Sequence, residues 1–136
     1  TNWSRIMAES VKLHLGCGPN IKPGYTNVDA WVDHPEVVKA DILDLPWDAD
    51  SVDEILSEHV FEHIEFEQEE RLWRGCFRVL KPGGRLVYST CSIEPEENQL
   101  QVQRLLRKNP ELRLDFIQEY CPDNKSDGGF QALLVK

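Results

Sequence analysis

Apolar and polar positions alternate through residues 11–15 (VKLHL), which predicts a strand ending in the tight turn Gly16-Cys17-Gly18-Pro19-Asn20. Residues 25–30 (YTNVDA) and 37–42 (VVKADI) are two more short runs with β-branched residues, each with an aspartate near its end. Residues 52–57 (VDEILS) make a fourth. From about Glu67 the period changes: Leu72, Trp73, Cys76, Phe77 and Leu80 recur on one face of a helix. Lys81-Pro82-Gly83-Gly84 should stop that helix, because proline cannot continue the ladder and glycine accepts the left-handed turn. A fifth strand is expected over 85–90 (RLVYST) and a second helix from Pro95 to about Lys108, anchored by Leu100, Leu105 and Leu106. Residues 112–120 and 130–135 flank a polar, glycine-containing loop and predict a closing antiparallel pair.

Alternating strands and helices with short punctuation predict an α/β sheet, and 136 residues suit a single domain over 1–136. No apolar stretch is long enough to span a bilayer and the first residues lack a signal pattern, so a soluble, cytoplasmic protein with no membrane partner is expected. The 15 Lys and Arg against 24 Asp and Glu give a net charge of −9, which repels a phosphate backbone and disfavours RNA as a partner. Between Asp41 and Glu70 there are twelve acids and no Lys or Arg. Basic residues collect on the two helices, at Arg71, Arg74 and Arg78 and at Arg104, Arg107 and Lys108. Solvated helix faces are the plain reading of them, with a local basic patch as the alternative. The four cysteines (17, 76, 91 and 121) form no CxxC pair, so free thiols are expected.

A strand entering Gly16-Cys17-Gly18 offers backbone N–H groups that a ligand can approach closely. A third glycine opening a helix is missing, which argues against a nicotinamide cofactor. Asp29, ending the second strand, can accept hydrogen bonds from two ribose hydroxyls, and Asp41, ending the third, from an exocyclic amine. These three features fall at successive strand ends, along the sheet edge where open α/β sheets bind ligands.

In this order the chain resembles the class I S-adenosylmethionine-dependent methyltransferases. The resemblance is carried by LHLGCGPN (13–20), NVD (27–29), ADILDLPW (40–47), SVDEILSEHVFEHI (51–64) and CFRVLKPGGRLVYS (76–89). It implies a Rossmann-like fold, a mostly parallel seven-stranded sheet with an antiparallel last strand, here with reduced helices. It also implies S-adenosyl-L-methionine as cofactor, held by Gly16, Cys17 and Gly18 at the methionine end, by Asp29 and Ala30 at the ribose, and by Asp41 and Ile42 at the adenine. Ser57, Glu58 and His59 would face the methionine end and the substrate, with Glu58 or His59 as general base. Asp29 follows Gly18 by only eleven residues, so the first crossover helix is expected to be missing.

The C-terminal part resembles a particular subfamily. Tyr88-Ser89-Thr90-Cys91-Ser92-Ile93, Pro95-Glu96-Glu97-Asn98 and Ser126-Asp127-Gly128-Gly129-Phe130 are similar to the RNA cytosine-C5 methyltransferases, whose TCS cysteine attacks the base. Cys91 is then the candidate nucleophile, since C5 of cytosine becomes nucleophilic only after a thiolate adds at C6. That subfamily's Pro-Cys pair after the fourth strand is replaced here by Ser57-Glu58-His59. A structural residue at a strand end is the other reading of Cys91.

The expected function is methyl transfer to an unidentified acceptor, small or macromolecular. The alternatives are a non-catalytic methyltransferase-like partner module and an RNA cytosine-C5 methyltransferase using Cys91. His59-Val60-Phe61-Glu62-His63 also fits a zinc-peptidase pattern, but a third ligand and the length to hold a peptide are missing, so no metal is expected. His14 is read as a packed or hydrogen-bonded strand residue and Trp73 as core. Trp31 either covers the cofactor or packs its loop. Few covering helices would leave apolar surface, which makes a homodimer an expectation as well.

Overall fold

The computed structural model describes residues 10–58, 65–90, 98–120 and 129–136. They form one seven-stranded sheet: β1 Lys12–Leu15, β2 Thr26–Val28, β3 Val37–Val38, β4 Val52–Glu58, β5 Leu80–Thr90, β6 Arg113–Tyr120 and β7 Gly129–Val135. The strand order is β3-β2-β1-β4-β5-β7-β6. The first five strands are parallel, and β7 runs antiparallel to both β5 and β6. Two helices are described, α1 at Phe66–Val79 and α2 at Gln99–Lys108. None is long and apolar enough to cross a membrane.

Both helices lie on one side of the sheet. Side chains alternate between faces along each strand, and one face is apolar: Leu13, Leu15, Val28, Ile55, Leu86, Tyr88, Phe130, Ala132 and Leu134 are buried there. Against them α1 sets Leu72, Trp73, Cys76 and Phe77, and α2 sets Val102 and Leu105. The Trp73 ring meets Tyr88 edge-on at 5.6 Å, and Tyr88 meets Phe130 in the same way at 6.2 Å. The opposite face is mixed: it carries Lys12, His14, Asn27, Glu54, Glu58 and Arg85 around a row of Leu56, Val87 and Leu133. The connections β1–β2, β2–β3 and β3–β4 contain no helix, so among the described residues loops rather than helices lie against this face.

Three expectations need correction. The third strand stops at Val38, so Asp41 does not end it. Asp41 sits in a turn instead, where its Oδ1 accepts the Leu43 N–H at 2.9 Å and its carbonyl the Asp44 N–H, an Asx-type turn that diverts the chain from the ladder. The Lys81-Pro82-Gly83-Gly84 stretch does end the helix but already belongs to β5, which starts at Leu80 opposite Val52 and resumes regular pairing at Arg85. Gly83 there has φ 82°, and its N–H donates to the Lys136 carbonyl. Finally, Leu100 is exposed and Val102 buried, because α2 begins at Gln99 and turns Gln101, Val102 and Leu105 inward.

Candidate functional site

β1 delivers the chain into a turn in which both glycines are left-handed, Gly16 at φ 63° and Gly18 at φ 55°. A Cβ on Gly18 would meet no atom within 4 Å, so the space above the turn is open and it is the backbone conformation that asks for glycine. The Gly16 N–H donates to the Val28 carbonyl at 2.8 Å, tying the turn to the end of β2. One residue later Asp29 completes the tie: its Oδ2 accepts the Gly18 N–H at 3.0 Å and its Oδ1 the Trp31 N–H at 2.8 Å. Each carboxylate oxygen thus retains a lone pair for a further donor. Ala30, next to Asp29, is half-buried.

Cys17 is buried and its thiol donates to the Gly18 carbonyl. Burial, and then the Asp29 charge, push its pKa up, so it is a thiol rather than a thiolate. Cys76, inside the core, is pushed up to about 12 by burial. Among the described cysteines neither is disulfide-bonded.

At the end of β4, Ser57 pairs in register with Leu15 and Tyr88. It is 1% exposed and its Oγ has no hydrogen-bond partner among the described residues. A buried hydroxyl left in this way is costly unless something else satisfies it. Glu58 follows on the polar face, with its Oε1 3.3 Å from His14 Nε2 and 3.3 Å from Lys22 Nζ.

The structure therefore gathers Gly16, Cys17, Gly18, Asp29, Ser57 and Glu58 around the adjacent ends of β1, β2 and β4. Asp41 and Ile42 lie in the turn beyond β3, with Asp41 exposed and Ile42 packed against the core. His59 and Cys91, together with the His59 to His63 motif, lie outside the described residues. No cluster of metal-ligating side chains occurs among the described residues. Trp31 is 92% exposed, so it does not pack its own loop. His14 is buried and hydrogen-bonded, and Trp73 is core, as their sequence contexts suggested.

The helix cations are largely occupied: Arg74 with Glu70, Arg104 with Glu69, Lys108 with Glu70, and Arg78 with the Leu45 carbonyl. A cavity of about 310 Å³ lies between α1 and α2, lined by Trp73, Gln101, Leu105 and these charged rims. It shares no lining residue with the glycine turn.

Sequence reasoning passed over the polar network that supports the site. Tyr25 OH donates to Glu54, Arg85 Nε donates to Glu54 Oε1 at 2.9 Å, and Asn27 bonds both His14 and the backbone of Lys22. The available signal was the charged and polar residues Lys12, His14, Asn27, Glu54, Glu58 and Arg85 on strands whose other face is apolar.

The chain is similar to known methyltransferases in sequence and in fold. Residues 48–134 match the family model described as 16S rRNA methyltransferase RsmB/F. Ribosomal RNA small subunit methyltransferase B of Vibrio cholerae is 48% identical over 77 residues, covering 52% of this chain and 18% of that protein. Ribosomal RNA small subunit methyltransferase F of Aeromonas salmonicida is 33% identical over 88% of this chain and 27% of its own length. The chain thus spans about a quarter or less of these relatives. A solved structure of 1,6-didemethyltoxoflavin-N1-methyltransferase from Burkholderia thailandensis, with S-adenosylhomocysteine bound, superimposes with a TM-score of 0.76 at 17% identity, covering 97% of this chain and 73% of that one. The fold is thus the Rossmann-like methyltransferase fold, and the chain belongs to the 16S rRNA methyltransferase RsmB/F family.

Proposed function

We propose that this chain forms part of the catalytic domain of an S-adenosylmethionine-dependent methyltransferase that modifies C5 of a cytosine in ribosomal RNA. The observation that carries the reading is the extent of the family match, which runs from Asp48 to Leu134 and includes Thr90-Cys91-Ser92. It favours the cytosine reading over an unspecified acceptor, despite the chain's negative charge.

The residues present suit the cofactor. Open space above Gly18, spare lone pairs on Asp29 and the Ser57 hydroxyl, unpartnered among the described residues, are a donor and acceptor set for an amino acid joined to a nucleoside. Gly16 to Gly18 would hold the methionine part, Asp29 and Ala30 the ribose, and Asp41 with Ile42 the adenine. Bound there, S-adenosylmethionine supplies a methyl group already activated by its sulfonium.

The protein's part is to make cytosine a nucleophile. The Cys91 thiolate adds to C6 and electron density moves to C5, which makes C5 nucleophilic toward the sulfonium methyl that the cofactor would supply, with S-adenosylhomocysteine as the leaving group. A base then removes the C5 proton, and the returning electrons expel the thiolate. Glu58 is the described carboxylate at the end of β4, where the subfamily's second cysteine is replaced, and is assigned here as that base together with His59. In β5, Ser89 pairs with Glu58, and Thr90, the next residue, directly precedes Cys91 in the chain.

The test is methyl transfer from labelled S-adenosylmethionine to unmodified 16S rRNA, beside trapping on RNA carrying 5-fluorocytosine, which has no C5 proton to lose. A covalent protein–RNA adduct that disappears in Cys91→Ala supports the assignment. Transfer by Cys91→Ala at the parent rate overturns it. Failure to bind S-adenosylhomocysteine even at millimolar concentration would instead identify a non-catalytic module.

A further inference from the structure

We infer that Thr90 and Asn98 are positioning residues: the hydrogen bond between their side chains fixes the direction in which the chain leaves β5 and enters Cys91. The bond itself stands on the geometry, while its effect on methyl transfer rests on the reading given under Proposed function.

β5 and α2 are consecutive in the chain, and the connection between them, 91–97, lies outside the described residues. Both of its ends are described. At one end Thr90 closes β5, its main chain in register with Phe130 of β7. At the other Asn98 stands at the N-cap position of α2, where its carbonyl accepts the Val102 N–H at 3.1 Å. Between the two ends the Thr90 hydroxyl donates to Asn98 Oδ1 at 2.6 Å, with Thr90 3% and Asn98 5% exposed. A strand and a helix that each hold their own backbone are thus joined side chain to side chain, and Cys91 is the first residue beyond the joint.

Two features set this bond apart from an ordinary contact of strand with helix. The first is the use to which Asn98 is put. Asparagine is among the best N-cap residues, because its side-chain oxygen can accept an N–H of the first helical turn. At φ −113° and ψ −100° the Asn98 side chain caps none of them and gives its oxygen to Thr90. The stability of α2 by itself does not call for that placement. The second feature is the energetic balance. A buried hydroxyl and amide have both lost water, and replacing two such partners by apolar groups of the same shape is often nearly neutral. What the pair supplies beyond stability is direction, since a satisfied buried polar pair admits few arrangements.

Direction is what the residue after Thr90 needs. Threonine is β-branched and stiff at χ1, so holding its hydroxyl also holds its main chain. A cysteine sulfur is set by its own main chain and the torsion about Cα–Cβ, and therefore follows the backbone that enters it. Addition of a thiolate to C6 asks for sulfur and carbon about 3–3.5 Å apart on one line of approach, and a misplacement of about 1 Å can cost roughly a hundred-fold in rate.

The test uses trapping on RNA carrying 5-fluorocytosine and methyl transfer to unmodified 16S rRNA, with Cys91→Ala run beside the other variants. Thr90→Val combined with Asn98→Leu replaces both partners by apolar shapes. This double variant should keep the parent's thermal midpoint and affinity for S-adenosylhomocysteine, yet trap about ten-fold or more slowly, with the loss of transfer in kcat rather than KM. Thr90→Ser, which keeps the hydroxyl, should trap at close to the parent rate, and Thr90→Val alone should be slowed. Trapping by the double variant at the parent rate overturns the inference, as does a loss in Thr90→Ser equal to that in Thr90→Val. Should the double variant not fold, the comparison of Thr90→Val with Thr90→Ser decides. Transfer by Cys91→Ala at the parent rate overturns the cytosine reading itself, whereas an inactive Cys91→Ala beside a fully active double variant overturns only the roles of Thr90 and Asn98.

Discussion

Asp29 and Gly18, eleven residues apart, are joined directly, the carboxylate accepting the glycine N–H at 3.0 Å. The acid assigned to the ribose therefore also shapes the turn assigned to the methionine part. Its substitution acts twice, on the ligand and on the loop. Asp29→Ala is expected to weaken S-adenosylhomocysteine binding at least ten-fold, roughly the loss of one hydrogen bond to a charged group. Asp29→Asn, which keeps one acceptor oxygen, should lose less. Calorimetry on the two variants checks the order.

The glycines of the two turns should respond differently to alanine. At Gly18 the added Cβ meets nothing, and the cost is the left-handed backbone, about 1–2 kcal/mol. At Gly84 the Cβ would stand 2.8 Å from the Lys81 carbonyl oxygen and 3.3 Å from that of Asp53, both main-chain atoms that cannot swing aside. Gly84→Ala is expected to lower stability by about 2–3 kcal/mol, as overpacking does. Denaturant midpoints of the two variants, measured side by side, give the comparison.

Glu54 makes stability sensitive to acid. Burial raises its pKa, but hydrogen bonds from Tyr25 and Arg85 and the Arg85 charge outweigh burial, and the net shift is downward from 4.5. A depressed folded-state pKa contributes stability above the unfolded value, and this contribution is lost as pH falls from about 4.5 through the folded value. Tyr25, raised to about 12 by burial and by the Glu54 hydrogen bond, acts at the other end. Its contribution is complete below pH 10 and is lost on rising toward 12. Glu54→Gln should flatten the acid limb of a stability–pH curve. An unchanged limb would count against the network.

Lys136 closes the end of α1. Its Nζ donates to the carbonyls of Phe77 and Leu80 at 2.6 and 2.8 Å and pairs with Asp50 at 3.1 Å. A cation on the last carbonyls of a helix satisfies groups the helix cannot bond itself and complements its dipole. Lys136→Met, which keeps the aliphatic stem, is expected to cost about 2 kcal/mol, read as a lower thermal midpoint with the fold unchanged by circular dichroism.

The sheet was legible from periodicity, because its core face is a run of alternate apolar residues and its two helices present apolar stripes. The missing first crossover helix was legible too, from the distance between Gly18 and Asp29. Asp41 was misplaced because a short β-branched run does not reveal where a side chain will capture its own backbone. The polar face was not legible: nothing in VKLHL says that His14 will meet Asn27 and Glu58, since those contacts depend on the register of three strands. Asn27, Lys22 and Tyr25 carry no motif, and their roles emerge only when the loop is placed.

The lack of a helix between β1 and β2 changes what the chain must do to assemble. Parallel neighbours ordinarily need a long crossover, but Leu13 finds Thr26 only thirteen positions along, whereas Arg85 must find Val135 fifty positions away. Closing the shorter loop is cheaper in chain entropy by about 1 kcal/mol. In this protein the parallel pair that frames the glycine turn is therefore a local contact, and the antiparallel pairing of β5 with β7 is the topologically distant one.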